Sequence, residues 1–468
     1  MPRWRAWADL WYAGRMKPRC ALLSVFTVLL FAAVRSPALC PHEVLVLAND
    51  ASIDSVLVAK TFMRLHGVPE ANLVRLDVPL AAVQTGTITT NSFTEYIWEP
   101  ALRAVEERGL ESQILAWVYS CDMPTRVKTS PMLSITGLTF LRNRVPEDLA
   151  VVEHGAYRSP LFAGPWKERP DELPLSRTFD RLRASLLDDM PLPAMMLGWI
   201  GERGNTVDEV MATLERGRAS DGTRPSKAVY LFPTNTNVRS TARQWELAPT
   251  VRALEALGAR TKIVGNFPKD GLAAGLLAGL ETLPASNLAF APGAFADHLT
   301  SNAGEFQVPQ QTKLSEWIRR GATASAGTVI EPKAYWQKFP SATVFLHQRR
   351  GCTMIESIYL ATACPLQLLP VGDPMASPWA ERPKPRIEGA GTGDAPLSGS
   401  VVLRAAGDAA TSMRFDWLVD GRLVGTGREH VLDTTALPNG RHRIRLVART
   451  RGDLRIPGEA ELRVEIEN

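Results

Sequence analysis

The side chains best suited to chemistry lie in one run, Phe290-Ala291-Pro292-Gly293-Ala294-Phe295-Ala296-Asp297-His298-Leu299-Thr300-Ser301. Histidine is the usual general base near neutral pH, so His298 is the first candidate for catalysis. Ser301 is a candidate nucleophile beside it. Asp297 and Thr300 are candidates for holding a ligand. The competing role for His298 is that of a helical residue whose nitrogens satisfy nearby backbone groups. Cys121 directly follows an apolar run and precedes Asp122-Met123-Pro124. Paired with a histidine, it would be a nucleophile. Unpaired, it is a small buried apolar group. Glu331 precedes Pro332, which holds it extended and lets its carboxylate face a cleft. Asp50, after the first apolar run, is a further binding candidate. In Gly372-Asp373-Pro374 the carboxylate reads as part of a tight exit turn.

The absent patterns narrow the chemistry further. No His, Cys and Asp set has structural zinc spacing. Gly-x-Ser-x-Gly, His-Glu-x-x-His and a phosphate-binding glycine loop are all missing. The sequence therefore names no metal and no cofactor.

These residues need strands to place them. Short apolar runs predict strands at Val44–Ala48, Leu73–Leu76, Ile114–Tyr119, Ala194–Ile200, Ala228–Phe232, Thr261–Val264, Leu288–Phe290, Ala322–Ile330 and Leu366–Val371. Helical periodicity falls between them, including Ile53–His66, Thr241–Leu257, Leu272–Leu280 and Thr312–Arg320. Residues 126–186 are rich in proline and polar groups and predict little regular structure. The alternation implies an α/β fold with a mainly parallel sheet and helices on both faces. Ligands of such sheets bind beyond the carboxyl ends of the strands. Leu288–Phe290 and Ala322–Ile330 are predicted to be parallel neighbours, since a crossover joins them. Asp297, His298, Thr300, Ser301 and Glu331 would then line one pocket, with a helix starting near Ala296. Glu331 would raise the His298 pKa.

The two ends differ from this middle. Arg3, Arg5, Arg15, Lys17 and Arg19 precede an apolar run, Ala21–Val34, with Ser36 and Ala38 beyond it. That order predicts a signal peptide over 1–38, cleaved after Ala38, and an exported protein. A membrane anchor is the alternative, but the run is shorter than the ~20 residues a span needs. Cys40 raises lipid attachment, although Leu39 fills the preceding position where a small residue belongs. No later segment predicts a membrane span. Cys352 and Cys364 fall at opposite ends of one predicted helix, about 18 Å apart, too far for a disulfide. Lys and Arg number 53 against 49 Asp and Glu, a net charge of +4. They form no basic run, which argues against nucleic-acid binding.

The α/β region spans 43–380. Residues 381–396 are rich in proline and glycine and read as a linker. Residues 397–468 hold short alternating runs with hairpin signals at Asp420-Gly421 and Asn439-Gly440. Phe415-Asp416-Trp417-Leu418-Val419-Asp420-Gly421, with Leu432-Asp433-Thr434-Thr435, resembles bacterial immunoglobulin-like modules. The resemblance implies an all-β sandwich.

A second resemblance covers roughly 43–380. Pro292-Gly293-Ala294, Ala296-Asp297-His298-Leu299-Thr300-Ser301, Gln311-Thr312-Lys313-Leu314, Glu331-Pro332, Lys338-Phe339-Pro340 and Gly372-Asp373-Pro374 look like a family of exported bacterial proteins with no assigned activity. More distantly, the strand order is similar to gingipain-type cysteine peptidases, which implies a caspase-like fold. Those enzymes carry a Cys after one strand, where this chain reads Ala291-Pro292. Two functions follow. One is a non-catalytic binding or surface protein on a peptidase-like scaffold, with an extracytoplasmic ligand of protein or peptide kind. The other is an exported hydrolase centred on His298.

Overall fold

The computed structural model describes residues 39–141, 144–146, 148–390, 395–407 and 413–468. The predicted signal peptide lies outside the described residues. In chain order the strands are β1 Val44–Asn49, β2 Leu73–Leu76, β3 Thr87–Thr89, β4 Ala116–Tyr119, β5 Arg126–Lys128, β6 Leu133–Ser134, β7 Ala194–Met196, β8 Val229–Pro233, β9 Arg260–Val264 and β10 Leu272–Ala278. Then come β11 Ala289–His298, β12 Ala324–Thr328, β13 Leu368–Gly372, β14 Pro385–Glu388, β15 Ser400–Gly407, β16 Met413–Val419, β17 Arg422–Thr426, β18 Glu429–Asp433, β19 Gly440–Thr450 and β20 Pro457–Ile466.

Ten of these form one sheet in the order β2-β1-β4-β7-β13-β12-β11-β10-β8-β9. β2, β1, β4 and β7 are parallel neighbours. So are β12, β11, β10, β8 and β9. β13 runs antiparallel to β12, with Ala324 opposite Gly372 and Thr328 opposite Leu368. It meets β7 at one pair, Val371 and Met196. β1, β4, β7, β12 and β13 are buried along their whole length. Their near-continuous apolar sequences match a strand covered on both faces. The edge strand β9 exposes Arg260 and Lys262, charges that discourage pairing with another chain.

Loop contacts show which strand ends lie together. Arg126, beyond β4, donates to Val329 O, beyond β12, at 3.3 Å. Ser315 Oγ, at the start of the helix Ser315–Arg319 that follows β11, donates to Arg203 O, beyond β7, at 2.6 Å. The carboxyl ends of β4, β7, β11 and β12 therefore share one edge. β13 leaves by the other edge, where Asp373 Oδ2 meets His66 Nε2 at 2.8 Å, at the end of the helix Ile53–His66.

Two expectations are corrected here. Leu272–Leu280 is not a helix: Leu272–Ala278 is β10. A short apolar run does not distinguish the two states by period, and flanking glycines decide for the strand. Gly271 adopts φ +113, and a Cβ on Gly275 would sit 2.2 Å from Phe345 Cε1. The strand lies directly on that ring. Secondly, no helix begins near Ala296, because β11 continues to His298. Pro292-Gly293 is a bulge inside the strand rather than its end. The β10–β11 register shifts there, and Gly293 takes φ +85 while its N–H donates to Thr323 Oγ1 at 2.9 Å.

Beyond β13 the sheets are antiparallel, β14-β15-β18 and β17-β16-β19-β20. They share a core that includes Leu403, Trp417, Leu432, Ile444 and Leu446. Asp420 and Gly421 both take positive φ, 49° and 84°, as a two-residue hairpin requires. Part of the expected linker is itself structure, since Pro385–Glu388 pairs with β15. Ionic contacts join this region to the α/β region. Arg449 binds Glu43 at 3.2 Å and Asp416 at 2.9 Å, and Arg455 binds Asp180 at 2.9 Å. Among the described residues no helix is long and apolar enough to cross a membrane. Cys40, Cys121, Cys352 and Cys364 are free and buried.

Candidate functional site at the carboxyl edge

Asp297 and His298 close β11, and neighbouring strand residues face opposite sides of a sheet. Asp297 Oδ2 accepts from Arg243 Nη1 at 2.6 Å. The same guanidinium donates to Pro340 O at 2.9 Å and to Ala278 O at 2.7 Å. Arg243 thus ties the ends of β10 and β11 to the loop before the helix Thr343–Arg349. Asp297 Oδ1 is buried without a hydrogen bond. Burial raises the Asp297 pKa, and Arg243 opposes that rise. Nearby, burial pushes the Glu246 carboxyl up to about 7, while the N–H of Ala342 donates to it at 2.9 Å.

On the other face His298 is fully engaged. Its Nδ1 accepts the indole N–H of Trp317 at 2.9 Å. Its Nε2 then carries the proton and donates to Thr312 O at 3.1 Å. This fixes one neutral tautomer. Burial pushes the His298 pKa down to about 4, and the cations Arg243, Lys313 and Arg320 add to the fall. A carboxylate partner would act in the opposite direction.

The loop after β11 is pinned in the same way. Thr300 Oγ1 donates to Gln311 Oε1 at 2.8 Å, and the N–H of Asn302 donates to the same oxygen at 2.8 Å. Gln311 takes φ +65 to reach this position. Lys313 Nζ donates to Asn302 O at 2.9 Å and Gln310 O at 2.7 Å, and burial lowers its pKa to about 8. The carbonyl of Ser301 accepts from Thr328 Oγ1 at 2.9 Å.

None of the remaining candidates bonds to the His298 ring, whose nitrogens go to Trp317 and Thr312. Glu331 is exposed, and its Oε1 accepts from the N–H of Lys333 at 2.7 Å. Cys121 is buried at the end of β4, and burial raises its thiol pKa, with Asp122 adding to the rise. A thiol held protonated is a poor nucleophile. Asp122 takes φ +54, accepts from Ser52 Oγ, and its carbonyl accepts from Asn49 Nδ2 at 3.0 Å. That ties the ends of β1 and β4 together. Asp50 is exposed and ion-paired with Arg75. So Asp297, His298, Thr300 and Ser301 gather at the end of β11, while Asp50 and Cys121 belong to the ends of β1 and β4. Among the described residues no group of three His, Cys, Asp or Glu side chains is placed to hold a metal ion.

Sequence reasoning missed a different feature of this edge. Trp336 lies in the segment after β12, with its ring 5.1 Å from Trp245, 6.2 Å from Phe162 and 6.2 Å from Trp166. Phe162 meets Trp166 edge-on at 4.9 Å. All four rings are partly exposed and lie outside the apolar cores. Two of them come from the proline-rich excursion, where no periodicity marks them. A hollow of about 880 Å³ lies elsewhere and is lined by Glu70, Asp420, Arg441, His442 and Arg445 among others. Several of its charges pair off, with His442 Nδ1 2.6 Å from Asp420 and Arg445 3.0 Å from Glu461.

The chain matches no family model and no curated protein sequence.

Proposed function

We propose that this chain is an exported, non-catalytic binding or surface protein. Its α/β region is a peptidase-like, caspase-related scaffold, and its C-terminal antiparallel sheets form an immunoglobulin-like module. One observation carries the proposal: both nitrogens of His298 are taken by Trp317 and Thr312 inside the fold. A general base must offer a free nitrogen to its substrate within hydrogen-bond reach. The buried, protonated Cys121 supports the same view. The carboxyl edge then serves to hold a ligand.

The test is turnover. Casein, fluorogenic peptides and p-nitrophenyl acetate are incubated with the purified full chain. Release of product should not exceed that given by the His298→Ala variant. Turnover by the wild type that disappears in His298→Ala or Cys121→Ser would establish a hydrolase instead.

A further inference from the structure

We propose that His442 is a proton-dependent latch: as an imidazolium donating from both nitrogens it holds the Asp420-Gly421 hairpin against the α/β region, and losing its proton at alkaline pH loosens that hold. The device is conformational and stands whether or not the carboxyl edge binds a ligand.

The hairpin is where the C-terminal sheets touch the α/β region. Asp420 and Gly421 turn β16 into β17. A Cβ on Gly421 would stand 2.3 Å from Pro69 Cβ, so the turn lies directly on that proline. Gln113 Nε2 donates to Gly421 O at 2.9 Å, and its Oε1 accepts from the N–H of Leu423 at 3.2 Å. Asp420 gives the turn its shape. Its Oδ1 accepts from the N–H of Arg443 at 2.9 Å, and its own N–H donates to Arg443 O at 2.9 Å.

His442 completes this arrangement. Its Nδ1 lies 2.6 Å from Asp420 Oδ2 and its Nε2 lies 2.8 Å from Pro438 O. Both partners are acceptors, one a carboxylate and one a backbone carbonyl. A neutral imidazole has one N–H and one lone pair. In either tautomer a lone pair would therefore face an oxygen, and that oxygen would have to move away. The imidazolium alone satisfies both. His298 shows the contrast, since the indole N–H of Trp317 fills one of its nitrogens and suits the neutral ring. The His442 side chain is nearly buried, whereas Asp420 is half exposed.

The surrounding charges agree in sign. Burial by itself lowers the His442 pKa, but the bonds to Asp420 and Pro438 reverse this, and the charges of Asp420 and of Glu465 on β20 add to the rise, so the pKa ends above the ordinary 6.5. Arg441, Arg443, Arg445 and Arg463 line the same hollow, with Glu70 from the α/β region. Three of these cations are met by carboxylates: Arg441 by Glu465 at 3.6 Å, Arg445 by Glu461 at 3.0 Å and Arg463 by Glu461 at 3.5 Å. The hollow brings water to the ring, so the proton can leave to solvent without unfolding. A histidine raised in the folded state contributes fully below its unfolded pKa, and the contribution is lost as pH rises through the folded pKa.

The experiment is a pH titration of the full chain with isotope-labelled histidine rings, followed by NMR. His442→Gln assigns the His442 signal. His442 should titrate above 6.5, and Asp420→Asn should bring its midpoint down. Hydrogen exchange, corrected for the intrinsic rate at each pH, then reads the hold on the hairpin. Protection of the Leu423 amide should fall by about threefold to tenfold between pH 6 and pH 9, as expected for losing one hydrogen bond. That fall should follow the His442 midpoint and move to lower pH with it in Asp420→Asn. In His442→Gln protection should be low and the same at both pH values. Amides of β1 should keep their protection throughout. The proposal is overturned if His442 titrates at 6.5 or below. It is equally overturned if Leu423 protection does not follow the His442 midpoint in the wild type and in Asp420→Asn.

Discussion

Trp317 donates its indole N–H to Nδ1 of His298 at 2.9 Å. This bond settles the state of the most promising catalytic side chain, because it consumes the lone pair a base would use. The ring is also 1 % exposed. Its neutral form is thus part of the folded structure, and protonation must disrupt it.

The pH dependence of stability follows. The folded His298 pKa is about 4, below its ordinary value of 6.5. Between these values the unfolded chain binds the proton and the folded chain does not, so stability rises with pH. The contribution is complete above about pH 6.5 and is lost as pH falls toward 4. Its size is on the order of 3 kcal/mol. His347, buried and lowered to about 3, acts in the same direction. Urea unfolding at pH 5 and pH 7 should therefore show a smaller pH difference in His298→Gln than in the wild type. Equal differences would show that His298 titrates normally. Trp317→Phe, which strands Nδ1, should cost about 1–3 kcal/mol at pH 7.

Arg243 and Asp297 make a second prediction. Both are almost fully buried, and their ion pair is 2.6 Å long. Removing one partner leaves a buried charge alone, which costs about 3–5 kcal/mol. Arg243→Met should lose that much stability in chemical denaturation. Arg243→Met with Asp297→Leu should recover most of the loss, since apolar pairs often replace buried ion pairs at little cost. A double variant no better than the single one would mean that Pro340 O and Ala278 O, not Asp297, are the contacts that matter.

The signal-peptide proposal predicts the N-terminus. Chain recovered outside the cytoplasm should begin at Leu39, because Ser36 and Ala38 fit the small-residue positions of a cleavage site. Leu39 and Cys40 are both buried in the folded chain, where Cys40 packs against Leu418 and Val447. Mass spectrometry should find Leu39 as the first residue and Cys40 unmodified. Recovery of Met1 as the first residue would end the proposal.

How much of this was legible depends on the kind of signal. The strands Val44–Asn49 and Leu73–Leu76 were readable because apolar runs there stop at polar groups. Leu272–Ala278 was misread because its uniformly apolar sequence suits either state. Gly293 suggested a strand end, whereas its positive φ serves a bulge, a choice made by Thr323 across the sheet. Asp297 and His298 stand at the end of β11, yet no local pattern shows that Trp317 and Thr312 close around His298. Those partners come from the following loop and helix and meet the ring only on folding. The aromatic group is harder still, since Phe162, Trp166, Trp245 and Trp336 belong to three separate segments.

The last prediction concerns the join between the two regions. Residues 381–396 read as a linker, and cleavage there would release two independent pieces if the chain were beads on a string. The contacts argue otherwise. Arg449, 1 % exposed on β19, binds Glu43 just before β1 and Asp416 on β16. Gln113 Nε2 donates to Gly421 O at 2.9 Å, and the N–H of Leu423 donates to Gln113 Oε1 at 3.2 Å. A chain cut at a protease site inserted after Gly393 should therefore elute from a sizing column as one complex in physiological salt. Arg449→Ala removes the charge that neutralises Glu43 and Asp416 and leaves two carboxylates buried together, at a cost of about 3–5 kcal/mol. Cleaved Arg449→Ala should separate into two fragments. If the cleaved wild type separates as readily, the buried ions do not hold the regions together. The apolar contact among Cys40, Leu418 and Val447 would then also be too weak to do so.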